Sequence, residues 1–231
     1  MNIEKVANRT EGGKLGAELF INFCDLSPEA PFGLATGETM DAVYSELANK
    51  SWKPASENAF ALDEYVGLDK DHKNSYLYEL TNIFTNKLGW EGIIHVPGQP
   101  PYDGASGTEV FEQALAKYGP LSVQLLGLGV NGHIAFNEPG ATFDSRTRVV
   151  QLHKETRDAN SRFFELGQEV PKEAVTQGLA TISQAKNLVL LVFGQNKLAA
   201  LLEALESPSS ETPLAALLGH PSLTLVTDLS V

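Results

Sequence analysis

Asp63, His133 and Glu138 are titratable side chains that follow directly on apolar runs. Residues 123–128 form an apolar run of the length and type of a buried strand. The run breaks into Gly127, Gly129 and Gly132, where the backbone must turn or approach something closely, and Asn131, His133, Asn137 and Glu138 follow. Residues 58–62 read as a second strand, ending in Asp63-Glu64-Tyr65. Carboxylates and an imidazole at one rim of a parallel sheet suit proton-transfer chemistry. No H-E-x-x-H or comparable ligand spacing points to a metal, and no G-x-S-x-G elbow points to a serine nucleophile. Gly127-x-Gly129-x-x-Gly132 has the dinucleotide spacing, but that motif needs a helix to begin inside it. Here Asn137, Pro139 and Gly140 follow instead.

A second constellation suits an anion. Thr36-Gly37-Glu38-Thr39 places hydroxyls and free N–H groups where a helix begins, and helix N-termini favour phosphate. An ordinary N-cap by Thr36 or Thr39 is the structural alternative. Without a P-loop lysine the motif is no nucleoside triphosphate site. Lys197 falls in the first turn of a helix, where the dipole disfavours a cation unless an anion is bound. Arg162, beside Phe163 and Phe164, is a third candidate partner. Together these residues describe a small phosphorylated substrate worked on by proton transfer.

The elements that must position these groups alternate. A helical pattern carries Leu15, Leu19, Phe20 and Phe23, and a strand–turn–helix unit runs from Phe32 to Leu47. Further helices are predicted over 76–84, 108–118, 155–166 and 196–205. Strands are predicted at 95–96, 187–193 and 223–227, with an edge strand at 146–152. Alternation of this kind predicts an α/β fold with a mostly parallel sheet covered on both faces, in one domain over 1–231. The helix over 155–166 would carry Arg162 toward the ligand as a lid.

Bulk composition narrows the partners. With 42% hydrophobic and 20% charged residues among 231, the chain can build an ordinary core. A formal charge of −12 argues against nucleic acid and anionic membranes as partners, yet local cations can still hold a small anion. Cys24, the single cysteine, sits in a helical pattern and reads as a buried free thiol. With no signal-like N-terminus and no spanning apolar run, a cytoplasmic protein is expected.

Six segments resemble one family: GLATGET at 33–39, LDEYVGL at 62–68, GLGVNGHIAFNEPG at 127–140, SRTR at 145–148, ANSRFF at 159–164 and GQNK at 194–197. The chain is similar in these to the glucosamine-6-phosphate deaminase (isomerase) family, in its short form. The resemblance implies a Rossmann-like three-layer α/β/α sandwich that turns glucosamine 6-phosphate and water into fructose 6-phosphate and ammonia. It implies no metal, no cofactor, and a monomer or small homo-oligomer. It assigns His133 to opening the pyranose ring, Asn131 and Glu138 to supporting it, and Asp63 to moving the proton between C2 and C1. Thr36, Gly37, Thr39, Arg162 and Lys197 fall on the family's phosphate positions. Asn131 stands where some members have Asp, and Glu38 where several have a small residue; a carboxylate there repels phosphate unless it points away. With Val150 where regulated members present a lysine, and without their C-terminal extension, weak or absent activation by N-acetylglucosamine 6-phosphate is expected. The alternatives left open are a 6-phosphogluconolactonase-like hydrolase and a non-catalytic sugar-phosphate sensor.

Overall fold

The computed structural model describes residues 1–165, 167–207 and 211–231. In chain order the elements are β1 (Asn2–Lys5), α1 (Arg9–Asp25), β2 (Phe32–Leu34), α2 (Glu38–Asn49), β3 (Asn58–Ala61), β4 (Asp63–Tyr65), α3 (Tyr76–Leu80), β5 (Ile93–His95), α4 (Gly107–Tyr118), β6 (Gln124–Gly127) and β7 (Arg148–Gln151). They continue with α5 (Lys154–Asn160), β8 (Glu173–Thr176), α6 (Leu179–Ile182), β9 (Leu188–Val192), α7 (Leu198–Glu206), α8 (Pro213–Leu217) and β10 (Leu223–Thr227).

Seven strands form one parallel sheet in the order β1-β10-β9-β6-β2-β3-β5. Helices flank it, giving the α/β Rossmann-like sandwich expected of the alternation. All five residues of β9 are buried, which is why it reads as an unbroken apolar run. Phe20, Phe32, Phe84 and Trp90 interlock edge-on or tilted beneath α1 and α2, with ring centroids 5.5–5.6 Å apart along Phe20–Phe32–Phe84–Trp90. Cys24 is buried in this core as a free thiol, and burial pushes it up to about 12.

From β2 the chain steps outward through β3 and β5. From β6 it steps the other way through β9 and β10. The boundary between β2 and β6 is therefore the topological switch point, where α/β sheets open a crevice at the strands' carboxyl ends. The parallel sheet places the carboxyl ends of β2, β3, β6 and β9 on that one side.

Several expected elements differ. The residues after β3 are not its tail: Asp63–Tyr65 is β4, which pairs antiparallel with β8, and β8 pairs antiparallel with β7. In this small second sheet β7 falls within the edge strand expected at 146–152, whereas β4 and β8, of three and four residues, are too short for periodicity to register. The helix predicted over 155–166 is α5 followed by a 3-10 turn at Ser161–Phe163, so Arg162 lies on the turn. Residue 166 lies outside the described residues. The helix predicted over 76–84 is α3 continued by a π-helical stretch at Thr81–Asn86. Lys197 ends a 3-10 turn and is the N-cap of α7 rather than inside its first turn. Among the described residues no helix is long and apolar enough to cross a membrane.

Candidate active site

A cleft of about 850 Å³ opens at the switch point, of a size that suits a small ligand. Asp63, His133, Thr36, Gly37, Thr39, Arg162 and Lys197 all line it, while Asn131 and Glu138 stand behind His133.

Alternation along β4 separates its two carboxylates. Glu64 turns away from the cleft and caps α3, accepting from the Ser75 hydroxyl at 2.7 Å and the backbone N–H groups of Tyr76 and Leu77 at 3.1 and 3.2 Å. Asp63 faces the cleft, and its carboxylate makes no hydrogen bond or ion pair among the described residues. Burial first, then the neighbouring charges of Glu64 and Glu79, hold it well above the ordinary carboxylate range.

The loop after β6 is fixed by Asn137, which is fully buried and not a cleft residue. Its amide nitrogen donates to the carbonyls of Ile134 and Gln177 at 3.0 and 2.8 Å, and its oxygen accepts from Arg148 at 2.9 Å. The loop is thereby pinned to the small sheet. Gly132 takes φ +87°, which glycine tolerates best. Gly129 is needed for a different reason: a Cβ there would lie 2.3 Å from the His133 ring. Gly129→Ala is therefore expected to push the imidazole aside and lower kcat by roughly a hundredfold. A thermal melt should show the fold retained, and an unchanged kcat would refute the ring's placement.

A directional chain supports that imidazole. Glu138 can only accept, so Asn131 must turn its amide nitrogen to it, at 2.7 Å. The Asn131 oxygen then faces His133 Nδ1, also at 2.7 Å. Nδ1 consequently carries the ring proton, leaving Nε2 as the basic nitrogen. The Thr156 hydroxyl donates to the other Glu138 oxygen and anchors the chain to α5. Burial holds His133 below its ordinary value; Glu138 opposes this shift and Lys197 adds to it.

At the other end of the cleft, α2 starts on Gly37, whose φ of +98° makes it the N-cap without a side-chain bond. Neither Thr36 nor Thr39 caps the helix, and both hydroxyls lack a hydrogen-bond partner among the described residues. The Gly37 N–H donates to Glu79 at 3.2 Å. Lys197 is lowered by burial and by Arg9, with Glu38 opposing. Glu38 does not point away: it faces the cleft and pairs with Arg9 at 3.7 Å and Arg162 at 3.5 Å. Sequence reasoning missed Arg9, Glu79 and Thr156 as parts of this site. Only Arg9 had a local signal: Asn8 and Glu11 have capping-box spacing, which places Arg9 at a helix start. No cluster of three or more His, Cys, Asp or Glu residues among the described residues could hold a metal ion.

Comparison with known proteins gives a consistent result. Residues 22–225 match the family described as glucosamine-6-phosphate isomerases/6-phosphogluconolactonase. The glucosamine-6-phosphate deaminase of Corynebacterium aurimucosum is 40% identical over 218 residues, covering 92% of this chain and 85% of that protein. That of Listeria welshimeri is 35% identical over 229 residues, 99% and 97% of the two chains. A solved structure of a monomeric glucosamine-6-phosphate deaminase superimposes with a TM-score of 0.90 at 34% identity, covering 98% of this chain and 97% of that one. The 6-phosphogluconolactonase of Shewanella baltica reaches a TM-score of 0.77 at 16% identity over 98% and 97% of the two chains, a likeness of fold alone.

Proposed function

Because the chain belongs to the glucosamine-6-phosphate isomerase/6-phosphogluconolactonase family, we propose that it is a glucosamine-6-phosphate deaminase, converting glucosamine 6-phosphate and water to fructose 6-phosphate and ammonia. One observation carries the reading: an unpartnered buried carboxylate, a supported imidazole and a cationic, hydroxyl-lined end share one cleft.

The sequence of steps follows from what each group can do. Lys197, Arg162, Thr36, Thr39 and the Gly37 turn hold the phosphate, which fixes the sugar's register along the cleft. His133 Nε2 takes the proton from the O1 hydroxyl and returns one to the ring oxygen, opening the pyranose to the aldehyde. Asp63 removes the proton from C2 and delivers it to C1, while a proton passes from the amine nitrogen to O1, leaving a hydroxymethyl group at C1 and an imine at C2. Water adds to that imine and ammonia leaves, so the last step hydrolyses a carbon–nitrogen bond. A base with a raised pKa suits carbon deprotonation, since proton affinity is what the step requires. Every group named belongs to one chain, so the reading needs no partner subunit. The buried free Cys24 is consistent with a cytoplasmic enzyme.

Ammonia and fructose 6-phosphate formation from glucosamine 6-phosphate is the direct test. Lactone hydrolysis without ammonia release would favour the 6-phosphogluconolactonase reading, and binding without turnover a sensor. Within the enzyme, Lys197→Ala is expected to raise KM by roughly tenfold or more while changing kcat little, because the phosphate is held alike before and during reaction. An unchanged KM would remove Lys197 from the phosphate site.

A further inference from the structure

We propose that Arg9 is an additional ligand of the substrate's phosphate, and that Glu38 is the resident anion which the phosphate displaces. The proposal rests on the phosphate end of the cleft assigned above.

Arg9 opens α1, far in sequence from the threonine turn, yet its side chain lines the same cleft. It is close enough to Lys197 for the two cations to oppose each other. Glu38 reaches Arg9 with one carboxylate oxygen and Arg162 with the other, at 3.7 and 3.5 Å. These are contacts between charges, longer than the charge-assisted hydrogen bonds a guanidinium forms when well seated. Neither arginine makes any hydrogen bond among the described residues, so their fixed forks of N–H donors are unspent. The three side chains of this pair of contacts are all roughly half exposed or more, at 48%, 55% and 66%. Ion pairs so exposed are weakly held.

Charge gives the direction of exchange. Arg9, Arg162 and Lys197 bring three positive charges, of which Glu38 offsets one and a phosphate monoester dianion offsets two. A carboxylate offers two oxygens and one charge to these cations. The ester offers three oxygens and about two charges at neutral pH. The unpartnered Thr36 and Thr39 hydroxyls supply donors that Glu38 leaves unused. The phosphate therefore binds where the carboxylate stood, and Glu38 swings outward on an exposed side chain. Glu38 weakens binding by competition.

Inorganic phosphate as a competitive inhibitor of ammonia release separates the parts, with Lys197→Ala as the reference variant. Arg9→Gln is expected to raise both KM for glucosamine 6-phosphate and Ki for inorganic phosphate by roughly five- to twentyfold, the change falling on KM rather than kcat. Glu38→Gln is expected to lower Ki for phosphate by roughly three- to tenfold. If Lys197→Ala raises Ki and Arg9→Gln does not, the role of Arg9 is overturned while the phosphate site stands. If neither variant moves Ki, the phosphate site itself is misassigned. If Glu38→Gln raises Ki, Glu38 organises the arginines rather than competing, and the exchange is refuted. Side chains this exposed can be replaced without loss of the fold, which a thermal melt verifies.

Discussion

Asp63→Asn should cost at least roughly a hundredfold to ten-thousandfold in ammonia release, the scale of a lost general base, and should also make the protein more stable. Both effects come from one fact: Asp63 is a buried carboxylate with no hydrogen bond or ion pair among the described residues, beside Glu64 and Glu79. An uncompensated buried charge costs free energy, and a neutral amide of the same shape removes most of that cost. The sign with pH is fixed. Because its pKa is raised on folding, folded Asp63 holds a proton that the unfolded chain has already released. The stabilisation is complete below the ordinary carboxylate range and is lost as pH rises through the raised value. The melting temperature of Asp63→Asn should therefore exceed that of the parent by a margin that widens from acid toward neutral pH. Inhibition by inorganic phosphate should be nearly unchanged, since the phosphate end of the cleft lies elsewhere. Equal melting temperatures across that pH range would mean the carboxylate has a partner, and a strengthened base cannot then be inferred from its burial. Stability given up at a reacting group in this way is a common trade-off in enzymes.

How much of this was legible in the chain depends on where each signal lives. The parallel sheet is written locally: β9 is apolar throughout because neighbours cover both faces, β6 carries buried Leu125 and Leu126, and glycines mark where the chain leaves the sheet. Asp63 and His133 could be found because each follows such a strand. The division of labour between Asp63 and Glu64 was also available, since adjacent strand residues point to opposite faces. It needed the recognition that 63–65 is itself a strand, and three residues paired to a distant four-residue strand leave no periodic trace. The places of Thr156 and Arg9 in the site were beyond local reading. Thr156 lies 18 residues from the carboxylate it anchors. Arg9 sits in a polar N-terminal stretch whose only feature is a helix cap, and the fold alone brings it to residues 38 and 197. For Glu38 the residue type alone signals repulsion from phosphate, but not the two arginines that hold it in the cleft.

His133→Gln carries the other large effect, and it should differ in kind from the loss at Asp63. The directional chain from Glu138 through Asn131 leaves Nε2 as the free base, so removing the imidazole removes the group that can both take and return a proton. Turnover should fall by roughly a hundredfold or more, to a rate set by uncatalysed opening of the sugar ring. Once the ring is open, Asp63 is still in place. Product formed slowly by His133→Gln from substrate deuterated at C2 should therefore still carry deuterium at C1, whereas Asp63→Asn should yield no such product. The pH profile gives an independent reading. Burial holds His133 below its ordinary value against the opposing charge of Glu138, and Lys197 adds to the lowering. The acid limb of kcat/KM in the parent enzyme that belongs to His133 should thus fall below the usual histidine range, and Lys197→Ala should move that limb upward by removing a nearby positive charge. Full activity in His133→Gln would leave ring opening without a catalyst in this cleft. An acid limb that stays fixed when Lys197 is removed would show that the imidazole and the phosphate end are not in electrostatic contact, and the two ends of the cleft could not then serve one hexose.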